Sequence, residues 1–223
     1  MSSDLRTQAI ILRRTNYGES DRILTLLTPE GKFSVLARGA RKEKSRLAGG
    51  IELFSVSDVT IHQSHHAKLA TLTGAKMLKF YGNLLTDLPR LELASSFLKS
   101  INRVAEQTDN PEFFDLLNQA LAGLDRGYLL QLVSTWFKFN LARTTGEEIN
   151  LIRDVNGAPL DPSQSYVWDG LEEAFRPDPD GKIGASEIKL ARLLWSAKLQ
   201  LVANIEYVEA MIGRVDLGMV KYI

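Results

Sequence analysis

Ile23-Leu24-Thr25-Leu26-Leu27-Thr28-Pro29-Glu30-Gly31-Lys32-Phe33-Ser34-Val35-Leu36-Ala37 reads as two short strands and the turn that joins them. Ile23 to Leu27 is an apolar run of strand length. Phe33, Val35 and Ala37 alternate with Lys32, Ser34 and Leu36, the period of a strand with one face covered. Between them Thr28-Pro29-Glu30-Gly31 has turn chemistry, since Pro fixes one φ and Gly accepts a positive one. Working outward, Ala9 to Leu12 is another strand-length apolar run. Phe54, Val56, Val59 and Ile61 suggest a fourth strand whose alternation slips at Asp58. Leu69 to Leu78 supplies a fifth, after the polar turn Gln63 to Ala67. Five strands in the first 80 residues, with a short break at Gly49-Gly50 between the third and fourth, suit a small closed barrel such as an OB-fold.

Past Gly82 the period becomes helical. Leu91, Ala94, Leu98, Ile101 and Ala105 form one stripe, opened by Asp87 with Pro89 in the first turn. Asn110-Pro111 begins a second helix that runs to about Gly123. Tyr128 to Arg143 is apolar almost all round, which places it inside a bundle, with Gly146 as its C-cap. Residues 147–184 are irregular and contain Pro159, Pro162, Pro177 and Pro179. One last long helix is expected from Ser186 to about Ile212. The expected class is therefore α+β: an OB-fold β-barrel over residues 1–80, then a mainly helical bundle domain over 81–223 that carries the irregular segment 147–184.

At 223 residues the chain can bury roughly 70% of its unfolded surface without staples. Hydrophobic residues make up 44% and charged residues 24%, which excludes wholesale disorder. No apolar run approaches the ~18 residues of a membrane span, and Met1 to Ser20 lacks the apolar stretch of a signal peptide. Cysteine is absent, so disulfides, thiolate zinc sites and cysteine nucleophiles are excluded, and a cytoplasmic location is expected. The formal net charge is zero, but it is split. Residues 1–82 carry 13 Lys/Arg against 7 Asp/Glu, and residues 83–223 carry 14 against 20. A basic front is suited to a polyanion.

Four blocks at the front resemble one known family: Ala9-Ile10-Ile11-Leu12, then Tyr17-Gly18-Glu19-Ser20-Asp21-Arg22-Ile23-Leu24, then Leu27-Thr28-Pro29-Glu30-Gly31-Lys32, then Ala37-Arg38-Gly39-Ala40-Arg41-Lys42. Their order and spacing are similar to the N-terminal signature of RecO, the bacterial recombination-repair family. The resemblance implies an OB-fold that binds single- and double-stranded DNA, followed by a helical domain. It also implies that complementary strands are annealed and that, with the partner RecR, the recombinase RecA is loaded onto DNA coated by single-strand-binding protein SSB. A location at the bacterial nucleoid follows from the same resemblance. Many family members bind zinc through paired Cys-x-x-Cys motifs before the final helices. Residues 147–182 here contain neither cysteine nor histidine, so zinc is not carried over.

The candidate DNA contacts begin with Arg38, Arg41, Lys42, Lys44 and Arg46, five cations in nine residues opposed only by Glu43. Gly39, Gly49 and Gly50 are expected to keep this segment pliant along a phosphate backbone. Neutralised phosphates release counterions, giving sequence-insensitive affinity that weakens with salt. Arg13, Arg14, Arg22, Lys32, Lys68, Lys76 and Lys79 extend the candidate patch, and Arg38, at a strand end, is the one expected to have a structural partner. Tyr17, Phe33, Phe54 and Tyr81 are candidate stacking platforms for unpaired bases, with Phe33 and Phe54 also in phase with core neighbours. In the helical half, Arg126, Lys138, Arg143, Lys189, Arg192 and Lys198 are cations among apolar stripes, where the acidic, apolar-ended C-terminal tail of SSB is expected to bind.

Other patterns point to ordinary structure. His62, His65 and His66 straddle an expected hairpin turn, where their spacing loses the meaning it would have on a helix. Residues 176–187 resemble an EF-hand loop, with acids at its third, fifth and twelfth positions, but Arg176 occupies the first ligand position. A turn with Ser186 or a neighbour capping the next helix is the expected reading. No nucleophile motif, phosphate loop or HExxH is present, and Glu147-Glu148 and Glu172-Glu173 point apart on any regular element. No enzymatic activity and no cofactor are expected. The alternative to a DNA-binding mediator is a protein-interaction adaptor whose barrel binds no nucleic acid.

Overall fold

Strand periodicity in the first 80 residues and helical periodicity after them are realised in a computed structural model, which describes residues 3–64, 68–108 and 110–215. The chain divides into a first compact unit ending at Asp125 and a second beginning at Arg126.

The first unit is built on five strands: β1 (Ser3–Tyr17), β2 (Asp21–Thr28), β3 (Gly31–Ala37), β4 (Ser55–Gln63) and β5 (Ala70–Phe80). They close in the order β1-β2-β3-β5-β4, the connectivity of an OB-fold, with β3 and β5 as the one parallel pair. The long β1 makes this closure possible. Its first half pairs with β4 (Thr7 opposite Val59) and its second half with β2 (Arg14 opposite Leu24). A bulge at Leu12 separates Ile11 from Arg13 and bends the strand between its two partners. The expected slip in β4 is also present as a pair of register shifts against β5, at Val56/Ser57 and Thr60/Ile61. Ala9, Ile11, Leu24, Leu26, Val35, Val59, Ile61 and Leu72 fill the barrel interior.

Ile10 and Leu27 point the other way and are equally buried. They lie on strands contacted by α1 (Leu88–Val104) and α2 (Glu112–Asp125), the two helices of this unit. Asp87 caps α1 by accepting the Arg90 N–H, with Pro89 in the first turn, as the sequence suggests.

In the second unit α3 (Leu130–Thr144) is buried on most sides through Val133, Trp136, Phe137 and Leu141. The irregular segment folds into a two-stranded hairpin, β6 (Tyr166–Asp169) with β7 (Ala174–Pro177). The expected single last helix is instead three: α4 (Ala185–Ser196), α5 (Leu199–Ala203) and α6 (Val208–Val215). Continuous apolar periodicity hides the breaks. Ala197 is extended and its carbonyl accepts the Trp136 indole N–H at 2.8 Å, while Tyr207 adopts a positive φ of 60°. A tertiary partner for a backbone group and a left-handed residue both interrupt the helical ladder, and neither shows in hydropathy. Among the described residues no helix is long and apolar enough to cross a membrane.

Candidate nucleic-acid interface

The segment between β3 and β4 carries the five clustered cations, and its backbone is tightly fixed. Gly39 sits at a φ of 61°, a conformation that favours glycine, and donates its N–H to the Asp21 carboxylate at 2.7 Å. The Arg41 N–H donates to the Ser20 carbonyl at 2.8 Å, and the Arg41 guanidinium reaches the Gly18 carbonyl at 3.3 Å. The start of the segment is therefore tied to the β1–β2 turn at three points. Apolar side chains fix the remainder: Ala40 and Ile51 are buried in the barrel core, and Leu47 and Leu53 pack against it. Gly50 lies so close to β5 that a Cβ would fall 2.6 Å from the Ala75 backbone. Arg14 closes the far end, pairing with Glu52 at 2.7 Å. The glycines that suggest pliancy instead permit a left-handed turn and a close approach.

Between these anchors Arg38, Arg41, Lys42, Lys44 and Arg46 are all exposed, as is Glu43. None of the five cations has an ion-pair partner among the described residues; only Arg41 is engaged, with the Gly18 carbonyl. Arg41, and not the strand-ending Arg38, thus has the structural contact. Arg22 faces Ala37 across the β2–β3 ladder. Among the described residues its side chain has one partner, Asn16, at 3.4 Å. Water keeps the mutual repulsion of such cations near 1 kcal/mol per pair at about 4 Å, and a polyanion would relieve it.

The other candidates lie outside this run of sequence. Lys32 is engaged inside the first unit, where its ammonium reaches the Asn102 carbonyl at 3.0 Å and Glu106 at 2.9 Å. Arg13 is exposed, opposite Thr25 on β1. Lys76 is exposed and stands opposite Asp58 in the β4–β5 register. Lys79 lies over the Tyr81 ring, 4.6 Å from its centroid. Lys68 is exposed just before β5.

The aromatic candidates separate as sharply. Phe54 and Tyr81 are buried, and Phe33 packs against the barrel core. The Tyr81 hydroxyl bonds the Asn118 side chain. Tyr17 alone of the four is open to solvent, at 55% exposure. Sequence reasoning also missed Phe80, which is 43% exposed at the end of β5.

His62 bonds Asp4 at 2.6 Å across the β1–β4 pair, while His65 and His66 lie outside the described residues. In the second unit, residues 147–184 hold themselves together through carboxylates and rings. Asp154 accepts the N–H groups of Asn156 and Ala158, both at 2.9 Å. Asp169 accepts those of Leu171 and Glu172 and pairs with Arg176. Phe175 meets Tyr166 and Trp168 edge-on. This donor set, without thiolate or imidazole and with its buried carboxylates already engaged, does not fit a structural zinc ion. Glu187, which would close the EF-hand-like loop, pairs with Arg214 at 2.8 Å and accepts the N–H of Gly184. Of the expected caps, Ser186 or a neighbour, it is the neighbour Gly184 that occupies the N-cap of α4. Among the described residues no group of three or more metal-ligating side chains occurs.

Of the helical cations, Lys189 borders a cavity of about 260 Å³ lined by Leu190, Leu193, Ile205 and Met211. Arg192 donates its Nε–H to the Leu151 carbonyl at 2.9 Å.

Comparison with known proteins agrees with this architecture. The family model described as recombination protein O N terminal matches residues 1–81, and that described as recombination protein O C terminal matches residues 85–216. A DNA repair protein RecO of Roseiflexus sp. is 37% identical over 204 residues, covering 88% of this chain and 71% of the relative. One from Heliobacterium modesticaldum is 33% identical over 187 residues, covering 80% of this chain and 64% of the relative, a little under two thirds. One from Halalkalibacterium halodurans is 28% identical over 210 residues, covering 90% and 81%. Both halves of the chain match in the order in which the barrel and the helices occur, and the chain belongs to the RecO family of DNA repair and recombination proteins.

Proposed function

We propose that this chain is a non-enzymatic recombination mediator that binds single- and double-stranded DNA through the basic segment between β3 and β4. The observation that carries this reading is a set of five exposed cations that have no ion-pair partner among the described residues, held on a backbone pinned at both ends. Unneutralised charge on a fixed frame binds phosphate without reading sequence. Screening phosphate repulsion while leaving bases accessible lowers the barrier to pairing, so strand annealing follows without covalent chemistry. An electrophoretic shift with labelled single-stranded and hairpin DNA at low and high salt tests it. Salt-sensitive shifts of both are expected; no shift at low salt would leave the adaptor reading in its place.

The family supports the finer partners: RecR, SSB through its C-terminal tail, and RecA indirectly, in a cytoplasmic, nucleoid-associated setting. For the tail, the cavity beside Lys189 has suitable chemistry, an apolar lining with a cation at its edge. Exchanging Lys189→Glu and Leu193→Asp should weaken a fluorescent tail peptide about tenfold or more, since 1.4 kcal/mol is a factor of ten. Unchanged peptide affinity would move that site to another part of the chain.

A further inference from the structure

We propose that Tyr17 is the stacking platform that makes the basic end of the barrel favour unpaired bases over duplex. This rests on the DNA-binding reading above. Tyr17 ends β1 directly before the turn to which the basic segment is tied. The carbonyl of its neighbour Gly18 accepts the Arg41 guanidinium. Asp21, opposite Tyr17 in the β1–β2 register, holds the Gly39 N–H. Two of the three ties of the basic segment thus reach the residues beside and opposite Tyr17, so the strand end that carries the ring and the backbone that carries the cations are held together.

Three features suit the ring to a base. It is more than half exposed, whereas Phe33, Phe54 and Tyr81 are covered by the fold. Its hydroxyl has no hydrogen-bond partner among the described residues, so nothing in the barrel uses its polar end. Gly18 beside it has a φ of 55°, and apart from its chain neighbours no atom lies within 4 Å of where its Cβ would be, so the turn that follows Tyr17 is uncrowded. Phe80 is also exposed, but its neighbour Lys79 is engaged over the Tyr81 ring. Cations contact phosphates in either form of DNA. A base can lie on an aromatic face only when it is free of its stack, so the ring adds affinity for single strands alone.

The test measures the ratio of single-strand to duplex affinity in the full-length chain, with a labelled dT oligonucleotide and a labelled hairpin. Stacking of one base is worth about 1–3 kcal/mol, so Tyr17→Ala should lower that ratio between about 5- and 140-fold. Tyr17→Phe should restore it, and Tyr17→Trp should show fluorescence quenched by dT beyond the wild-type signal. Melting curves confirm the fold, since an exposed strand end contributes little to the core. An unchanged ratio, or a loss that Phe does not restore, overturns the role of the ring while salt-sensitive binding of both DNAs leaves the underlying reading intact. If the wild-type chain shifts neither DNA, it is the DNA-binding reading that fails.

Discussion

Two connections of similar irregularity, residues 38–54 in the first unit and 147–184 in the second, treat their charges in opposite ways. In the first, apolar residues and glycines (Ala40, Leu47, Gly50, Ile51 and Leu53) anchor the segment together with Asp21 and the Arg14–Glu52 pair, and the five clustered cations have no ion-pair partner among the described residues. In the second, the charges are themselves the anchors. Asp154 and Asp169 cap backbone N–H groups, and Arg153 donates to the Gly157 carbonyl at 2.7 Å. Both are loops by hydropathy. The difference teaches that a charged loop points to an outside partner when most of its charges are not themselves used to hold it in place.

The comparison breaks most decisively at its anchors. Ile51→Ala removes a fully buried side chain from the barrel core and should destabilise the first unit by about 2–5 kcal/mol in denaturant unfolding. An effect under about 1 kcal/mol would mean that the segment is not pinned. Next in size is the five-site replacement of Arg38, Arg41, Lys42, Lys44 and Arg46 by Ala or Gln. Each lost single-strand contact should flatten the slope of log affinity against log salt by about 0.7, so three contacts amount to roughly 2. Stability should change by no more than about 0.5 kcal/mol, apart from Arg41, whose bond to Gly18 calls for a separate variant. A normal slope in a well-folded variant would place the phosphates elsewhere, with Lys76, Lys79 and Lys68 next in line.

The second region offers a smaller and opposite test. Asp154→Ala leaves the N–H groups of Asn156 and Ala158 without their acceptor and should cost about 1–3 kcal/mol in the second unit. DNA affinity should be unaltered. A chelator should leave the melting temperature where it is, whereas about one zinc per chain by elemental analysis would show that this segment is metal-ordered after all.

The smallest expected effect is a pH dependence in the first unit. The Thr7 hydroxyl donates to Glu30 at 2.6 Å and, with a bond from Thr28, holds the Glu30 carboxyl below its ordinary 4.5. A carboxyl lowered by folding stabilises above its unfolded value, and that contribution is lost as pH falls through the folded one. Thr7→Ala should therefore cost up to about 0.5 kcal/mol near pH 7 and nothing at about pH 2. A difference that persists in acid would assign the effect to strand packing. Asp161 is lowered in the same sense by the hydroxyl and N–H of Ser163, so a carboxyl titration should find both groups acidic in their separate regions.

Much of this was legible in residue order alone. The turn Thr28–Gly31, the alternation of β3, the Asp87–Pro89 start of α1 and the basic run all depend on side chains within a few positions of each other, as do the four family blocks. What only the tertiary structure decided is which of these groups has a partner. Lys32 is engaged by Glu106, 74 residues away, and Arg14 by Glu52, 38 away. Gly50 is small because β5 passes beside it, and the last helix breaks where Ala197 meets Trp136. Periodicity records which face of an element avoids water. It carries no information about which distant atom fills a lone pair or covers a ring, because closure of the barrel and packing of the helices create those neighbours. The sequence by itself therefore determined that the front of this protein is a barrel with a basic loop. Folding determined that the loop is pinned at both ends, that the five clustered cations have no ion-pair partner among the described residues, and that of four candidate rings only Tyr17 is open to solvent.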